Sequence, residues 1–341
     1  MKDNRITAGT FHPEQDQEEY TLRPRRLEEF LGQDRLKENL GVFIQAARER
    51  QESLDHVFFS GPPGLGKTTL AGIIANELGV QFRATSAPAL ERPGDLAAIL
   101  TTVGDKNVFF IDEIHRLKPI IEEMLYNAME DFEIDVVMGQ GPGARTIKIP
   151  LLPFTMVGAT TKTGLVSGPL YSRFGITARL DFYTNEDIES IIHRSAGILK
   201  IQLEEEACRM IAFRSRGTPR VANRLLRRMR DFAQVWGDGL ITGEILVRGM
   251  SALAIDSLGL DKLDRDILKT VIENYGGGPV GSETLAISIG EAVDTLEDVY
   301  EPYLIQKGLI QRTPRGRTAT RLAYEHLDVE QRGNEDQKIL F

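Results

Sequence analysis

Gly61 to Thr68 reads GPPGLGKT, a loop punctuated by glycines that ends in a lysine and a hydroxyl residue. Glycines let backbone N–H groups close on phosphate oxygens, Lys67 brings a point charge to the β and γ phosphates of ATP, and Thr68 offers a hydroxyl to Mg²⁺. The loop follows an apolar run, His56 to Ser60. It precedes a stretch in which Leu70, Ile73, Ile74 and Leu78 share one helical face, so strand, loop and helix stand in the order a P-loop requires. A bare glycine turn with one exposed lysine would not need these flanks. Further along, Phe109-Phe110-Ile111 closes in Asp112 and Glu113. Carboxylates at the C-terminal end of a buried strand sit in the crevice where open α/β sheets hold ligands. Asp112 can then hold Mg²⁺ through water while Glu113 orients or deprotonates an attacking water, a division of labour that describes ATP hydrolysis. Without the upstream loop the pair would read as an exposed cap for a helix near Pro119. His115, a single loop histidine, is assigned no role.

Phosphoryl transfer leaves little covalent work to the protein, so a cation placed against the developing γ-phosphate charge is worth roughly 10³ to 10⁵ in rate. Two arginines are candidates. Arg173 lies in PLYSRFG, and Arg220 lies in the first helical turn after Thr218-Pro219, where anions are favoured. Either could equally be an ordinary surface side chain. Residues 207–230 hold eight arginines and no acid, which predicts that most of them are solvated or face partners.

The elements that must position these groups follow from periodicity. Apolar residues recur at helical spacing from Leu27 to about Gln51, and Asn107 to Asp112 and Thr155 to Ala159 read as further buried strands. Strands alternating with helices predict an α/β domain with a parallel, doubly wound sheet over about 21–183. Residues 184–254 read as an all-helical unit, with Thr184 or Asn185, Glu204 and Thr218-Pro219 opening its helices. Residues 255–330 run helix, glycine break, two helices and two short strands around Arg315-Gly316, the order of a winged helix. Residues 1–20 read as a loose acidic arm and 331–341 as a tail. The chain has 341 residues, one cysteine and a net charge of −9, which excludes a disulfide scaffold and a protein that coats nucleic acid through bulk charge. No run of about 18 apolar residues and no apolar stretch near the start are present, so a cytoplasmic protein without a membrane span is expected.

With GPPGLGKT, FFIDEIH, GATT, SRFG and GTPR in this order, the chain resembles an AAA+ ATPase, and more closely the RuvB-type motors of Holliday-junction branch migration. Four longer phrases carry the closer likeness: LRPRRLEEFLGQ at 22–33, the run from Asn127 to Ile149, PLYSRFGI at 169–176 and YEPYLIQKGLIQRTPRGR at 300–317. The resemblance implies an AAA+ P-loop domain, a helical lid and a C-terminal winged helix. It implies that Leu22, Arg23 and Tyr183 line the base and ribose side of ATP, and that Gly64, Lys67, Thr68 and Thr69 hold phosphates and Mg²⁺. Glu130, Asp131 and Phe132 would approach nucleotide, Thr161 would sense the γ-phosphate, Arg173 would be a finger acting in the neighbouring subunit, and Arg220 a second sensor. A finger in trans requires a ring. In this family the ring is a hexamer that drives duplex DNA, loaded against a RuvA-type junction-binding protein and sometimes coupled to a RuvC-type resolvase. A clamp-loader or replication-initiator switch would use the same core, although clamp loaders carry Ser-Arg-Cys where this chain has Ser172-Arg173-Phe174.

Two segments remain. Ile134, Val136 and Met138 alternate, a turn follows at Gly139–Ala144, and Ile147 and Ile149 alternate on return, which predicts a hairpin over about 132–150 with one apolar face. It could fold back on its own sheet; the resemblance makes it the docking site for the RuvA-type partner. Arg312, Arg315, Arg317 and Arg321 follow one another without an acid between them, so the wing is the expected DNA contact, salt-sensitive and indifferent to sequence.

Overall fold

The computed structural model describes residues 19–138 and 145–330. The acidic arm up to residue 18, the Gly139–Ala144 turn and the tail from 331 lie outside the described residues. Two compact units are present, one ending at Asp187 and the other beginning at Ile188.

In the first unit, α1 (Glu19–Leu22) leads to α2 (Asp34–Arg50), whose Leu40, Ile44 and Ala47 are buried. β1 (Val57–Ser60), α3 (Lys67–Leu78), β2 (Phe82–Ser86), α4 (Pro93–Leu100), β3 (Val108–Asp112) and α5 (Pro119–Glu130) then alternate. A hairpin of β4 (Glu133–Met138) and β5 (Arg145–Pro150) interrupts before β6 (Thr155–Thr160), α6 (Gly168–Tyr171) and β7 (Ile176–Arg179) complete the series. The sheet runs β2-β3-β6-β1-β7 and every pairing in it is parallel. A parallel sheet is covered on both faces, which is why β1 and β6 are buried at every position and read as unbroken apolar runs. In the hairpin, Ile134 faces Ile149 and Val136 faces Ile147 across an antiparallel ladder. Ile134 is fully buried in the core while Ile147 stands 46% exposed, so the root folds onto the domain and the apolar face continues outward beyond it.

α7 (Asn185–Leu199) opens under a reciprocal cap, with Thr184 Oγ1 accepting the Asp187 N–H at 3.2 Å and the Asp187 carboxylate accepting the Thr184 N–H at 3.3 Å. The second unit continues through β8 (Gln202–Leu203), α8 (Glu205–Arg214), α9 (Pro219–Trp236), β9 (Leu240–Ile241) and α10 (Gly243–Ala252). Its lid is helical apart from a two-residue parallel pairing of β8 with β9. Thr218 occupies the N-cap position of α9, yet its hydroxyl donates to the Arg216 carbonyl at 3.2 Å instead of serving a helix N–H. α11 (Lys262–Lys269), α12 (Ser282–Ile289), α13 (Val293–Thr295) and α14 (Glu301–Gln306) precede a wing of antiparallel β10 (Ile310–Thr313) and β11 (Gly316–Ala319), and α15 (Arg321–Leu327) closes the winged helix.

The arginines of 207–230 are not mostly solvated: Arg216, Arg224 and Arg227 are buried. Arg216 shows why a local count misled. Its guanidinium pairs with the buried Asp264 of α11, 48 residues away, and donates from Nε and Nη2 to the Gly259 carbonyl at 3.1 and 2.9 Å. The compensating charge comes from the winged helix, so the lid and that domain share one buried ion pair.

His56, just before β1, accepts the Met156 N–H on Nδ1 at 3.0 Å and donates from Nε2 to the Met129 carbonyl at 2.9 Å. Both nitrogens are committed to a neutral ring. Burial is the main influence and lowers its pKa, against smaller upward pulls from the Met129 carbonyl and Asp55. Because the unfolded chain takes up that proton first, this contribution to stability is complete above the ordinary value of about 6.5 and is lost as pH falls below it. The thermal midpoint of the full chain is expected to drop between about pH 7 and pH 5 and to drop less in His56→Gln, as unfolding scans across that window would record.

Candidate functional site

Three strands end together. Ser60 of β1 pairs in register with Thr160 of β6, and Asp112 is the last residue of β3, so the P-loop, the carboxylates and Thr161 all leave the C-terminal edge of the sheet. Gly61, Gly64 and Gly66 hold φ values of 135°, 81° and 104°, which only glycine adopts freely. A Cβ on Gly61 would come within 2.4 Å of the Leu180 carbonyl oxygen, so the loop's tight turn excludes any side chain there. Lys67 starts α3 and is 7% exposed, its ammonium donating to the carbonyls of Gly61 and Pro62 at 2.7 and 2.8 Å. Thr68 and Thr69 follow in the first turn, half-buried. On the flank, Tyr183 is buried and its hydroxyl donates to the Leu65 carbonyl at 2.9 Å; burial first, then Asp187, pushes its pKa up, so it stays a neutral donor. The segment after the buried Leu22 is tied to α3 by Leu27 N–H on Glu77 at 3.0 Å and by Asn76 on the Arg25 carbonyl at 3.2 Å. Leu22, Arg23 and Tyr183 thus belong to segments bound to the loop and its helix.

Glu113 sits in left-handed backbone at φ 50°, uncommon for a non-glycine residue. Its Oε2 accepts from Thr161 Oγ1 at 3.2 Å and lies 3.2 Å from His115 Nδ1. Burial and the neighbouring Asp112 raise its pKa, while Lys67 and Thr161 pull it down. His115, given no role from sequence, is therefore part of the cluster, and its Nδ1 is also 2.8 Å from Thr160 Oγ1. The DEIH spacing alone held no signal for this; the short helical turn Ile114–Arg116 brings the ring back. Thr68 and Asp112 offer hydroxyl and carboxylate oxygens, the hard donors that Mg²⁺ takes, so the residues present fit a magnesium nucleotide.

Arg173 is elsewhere. It precedes β7, whose Ile176 pairs with Val57 at the start of β1, so it lies at the opposite edge of the sheet from the P-loop. Its guanidinium bonds Glu130 at 3.0 Å and the Pro169 carbonyl at 2.7 Å and lies 4.4 Å from the Tyr126 ring centroid. Glu130 and Phe132 share that edge: Phe132 packs on Phe154 with ring centroids 5.8 Å apart. Within one chain, then, Glu130, Asp131 and Phe132 accompany Arg173 and not the phosphate loop. Arg220 occupies the first turn of α9 in the second unit.

At the wing the arginines divide. Arg317 is 8% exposed, with Nε on Glu301 at 2.7 Å and Nη2 on Glu297 at 2.6 Å. This corrects its reading as an open phosphate contact; the acids come from the preceding helix, out of sight of the local arginine run. Arg312 also pairs with Glu301, at 2.6 Å, but keeps half its side chain exposed. Arg315 is exposed at the turn, and Arg321 is exposed while paired with Glu325 at 2.6 Å.

A parallel P-loop sheet with paired carboxylates beside a threonine, followed by a helical lid, defines an AAA+ nucleotide-binding protein. Three family models match the chain in succession: the Holliday junction DNA helicase RuvB P-loop domain over 22–180, the RuvB AAA lid domain over 183–256 and the RuvB C-terminal winged helix domain over 257–328. The chain belongs to the RuvB family. It is 66% identical over 314 residues to a Holliday junction branch migration complex subunit RuvB of Treponema denticola, covering 92% of both chains. Its likeness to the corresponding Treponema pallidum protein is 62%, covering 92% of this chain and 90% of that one. Among solved structures, the Thermotoga maritima RuvB Holliday junction branch migration motor superposes with a TM-score of 0.85 at 51% identity, covering 91% of this chain and 99% of that one. Among the described residues no helix is long and apolar enough to cross a membrane.

The division at the wing has a direct consequence for stability. Arg317→Ala leaves the buried Glu301 with only the half-exposed Arg312 and is expected to cost about 2–4 kcal/mol, whereas Arg315→Ala should stay within about 0.5 kcal/mol. Urea unfolding of the two variants side by side distinguishes them.

Proposed function

We propose that this chain is the ATP-hydrolysing subunit of a hexameric ring that moves duplex DNA and so drives branch migration of Holliday junctions. The observation that carries the reading is the separation of Arg173 from Lys67 across the sheet. β1 alone spans four residues, about 13 Å, between the two edges, so the finger serves a nucleotide held by a neighbouring copy. Glu130, Asp131 and Phe132 approach that same neighbour's nucleotide from the finger's edge. Lys67 and the loop amides hold the phosphates, Leu22, Arg23 and Tyr183 bound the base side, and Thr161 and Arg220 are sensors of the γ-phosphate. Thr68 and Asp112 would hold Mg²⁺, which supplies charge neutralisation across the phosphates. Glu113 takes a proton from the attacking water; its raised pKa and position beside Thr161 suit a base that acts at the γ-phosphate.

The hairpin offers an apolar face with Ile147 exposed, which suits a RuvA-type protein docking there. DNA is held through phosphates by Arg315 and the outward half of Arg312, with Arg317 shaping the wing beneath them. A RuvC-type resolvase and a cytoplasmic setting complete the reading. A four-way-junction assay with ATP and a RuvA-type partner tests it: junction-dependent duplex products support the motor, and ATP turnover without them would remove it.

Lys67→Ala is expected to lose nucleotide binding, while Glu113→Gln keeps ATP bound and loses about 10² to 10⁴ in turnover; fluorescent-nucleotide titration beside a phosphate-release assay separates the two. Mixing Arg173→Ala chains with Lys67→Ala chains should restore part of the hydrolysis, because some interfaces then pair an intact loop with an intact finger. Zero recovery at every mixing ratio would place the finger in cis.

A further inference from the structure

The base at Glu113 has two oxygens, and the surrounding hydrogen bonds treat them unequally. Thr161 Oγ1 donates to Oε2 at 3.2 Å, and His115 Nδ1 lies 3.2 Å from the same atom. An ionised carboxylate only accepts hydrogen bonds, so attraction there requires the proton on Nδ1. The same nitrogen lies 2.8 Å from Thr160 Oγ1, which accepts the Lys162 N–H at 3.0 Å. Thr160 is fully buried and the last residue of β6, so it fixes the imidazole to the sheet. The His115 side chain is only 9% exposed and returns to Glu113 through a single helical turn. The Thr161 hydroxyl and the His115 ring thus converge on Oε2 from two strand ends. Glu113 itself holds left-handed backbone at φ 50° beside them.

We propose that His115 is a positioning residue for hydrolysis: its Nδ1–H, braced by Thr160, ties down Glu113 Oε2 and presents Oε1 to the attacking water. The inference rests on the reading of Glu113 as the base. In the step it supports, the water oxygen bonds the γ-phosphorus, its proton passes to Oε1, and the bond to the β-phosphate oxygen breaks with its electron pair leaving on ADP. His115 keeps its proton throughout. It touches neither nucleotide nor water, so its loss affects the chemical step and not the holding of ATP.

The test uses the full-length chain assembled on duplex DNA, with ATP turnover measured beside affinity for a fluorescent ATP analogue. His115→Ala is expected to lower kcat by about 10- to 100-fold while nucleotide affinity and KM stay within about twofold. His115→Asn, whose side-chain amide can place an N–H near the position of Nδ1–H, should recover kcat to within about fivefold of the parent. In a Glu113→Gln background, His115→Ala should remove little of the residual rate, since both substitutions act through one carboxylate. The proposal falls if His115→Asn is as slow as His115→Ala, if affinity drops in step with kcat, or if the losses in the double variant multiply. Parent-like turnover in Glu113→Gln alone would instead remove the base assignment and this inference with it. Circular dichroism melts of each variant guard against misfolding, and the Asn variant keeps the question open to refutation even if the Ala variant is unstable.

Discussion

A parallel sheet has two unlike edges, and the chemistry of this protein depends on that fact. Every strand of the five-stranded sheet points the same way, so loops at its C-terminal edge gather Lys67, Asp112, Glu113 and Thr161, while the approach to β7 leaves Arg173 at the other edge. The covalent route from one edge to the other is a buried strand that cannot bend. No rotamer of Arg173 shortens it. Arg173 is held at that other edge by Glu130, the Pro169 carbonyl and the Tyr126 ring.

The phosphate loop and its flanks were legible in the sequence because each rests on local chemistry: glycines where φ is positive, an apolar run before, a helical stripe after. The hairpin was legible for the same reason, its register following from alternation. What could not be read was contact between distant segments. His115 gained a place only when β6 brought Thr160 beside it, 45 positions away. Arg216 found Asp264 across a similar interval, and Arg317 found Glu297 and Glu301 on an earlier helix. In each case a residue count along the chain gave the wrong surroundings because electrostatics acts through space.

Those buried pairs have a common logic. A guanidinium removed from water is tolerated only when a carboxylate and carbonyls take up its donors, and breaking one partner leaves the other uncompensated. Arg216 meets that condition with Asp264 and the Gly259 carbonyl, and Arg317 with two glutamates. Such sites fix geometry more than they add stability. At Arg216 the geometry fixed is that of lid against winged helix, which lets α9, three residues on, and the wing belong to one unit.

Turning Arg317 fully and Arg312 partly inward toward Glu301 leaves the tip with fewer free cations than its composition advertises. A polyanion meeting this tip would displace fewer counterions than four arginines suggest, so salt would weaken the contact less steeply.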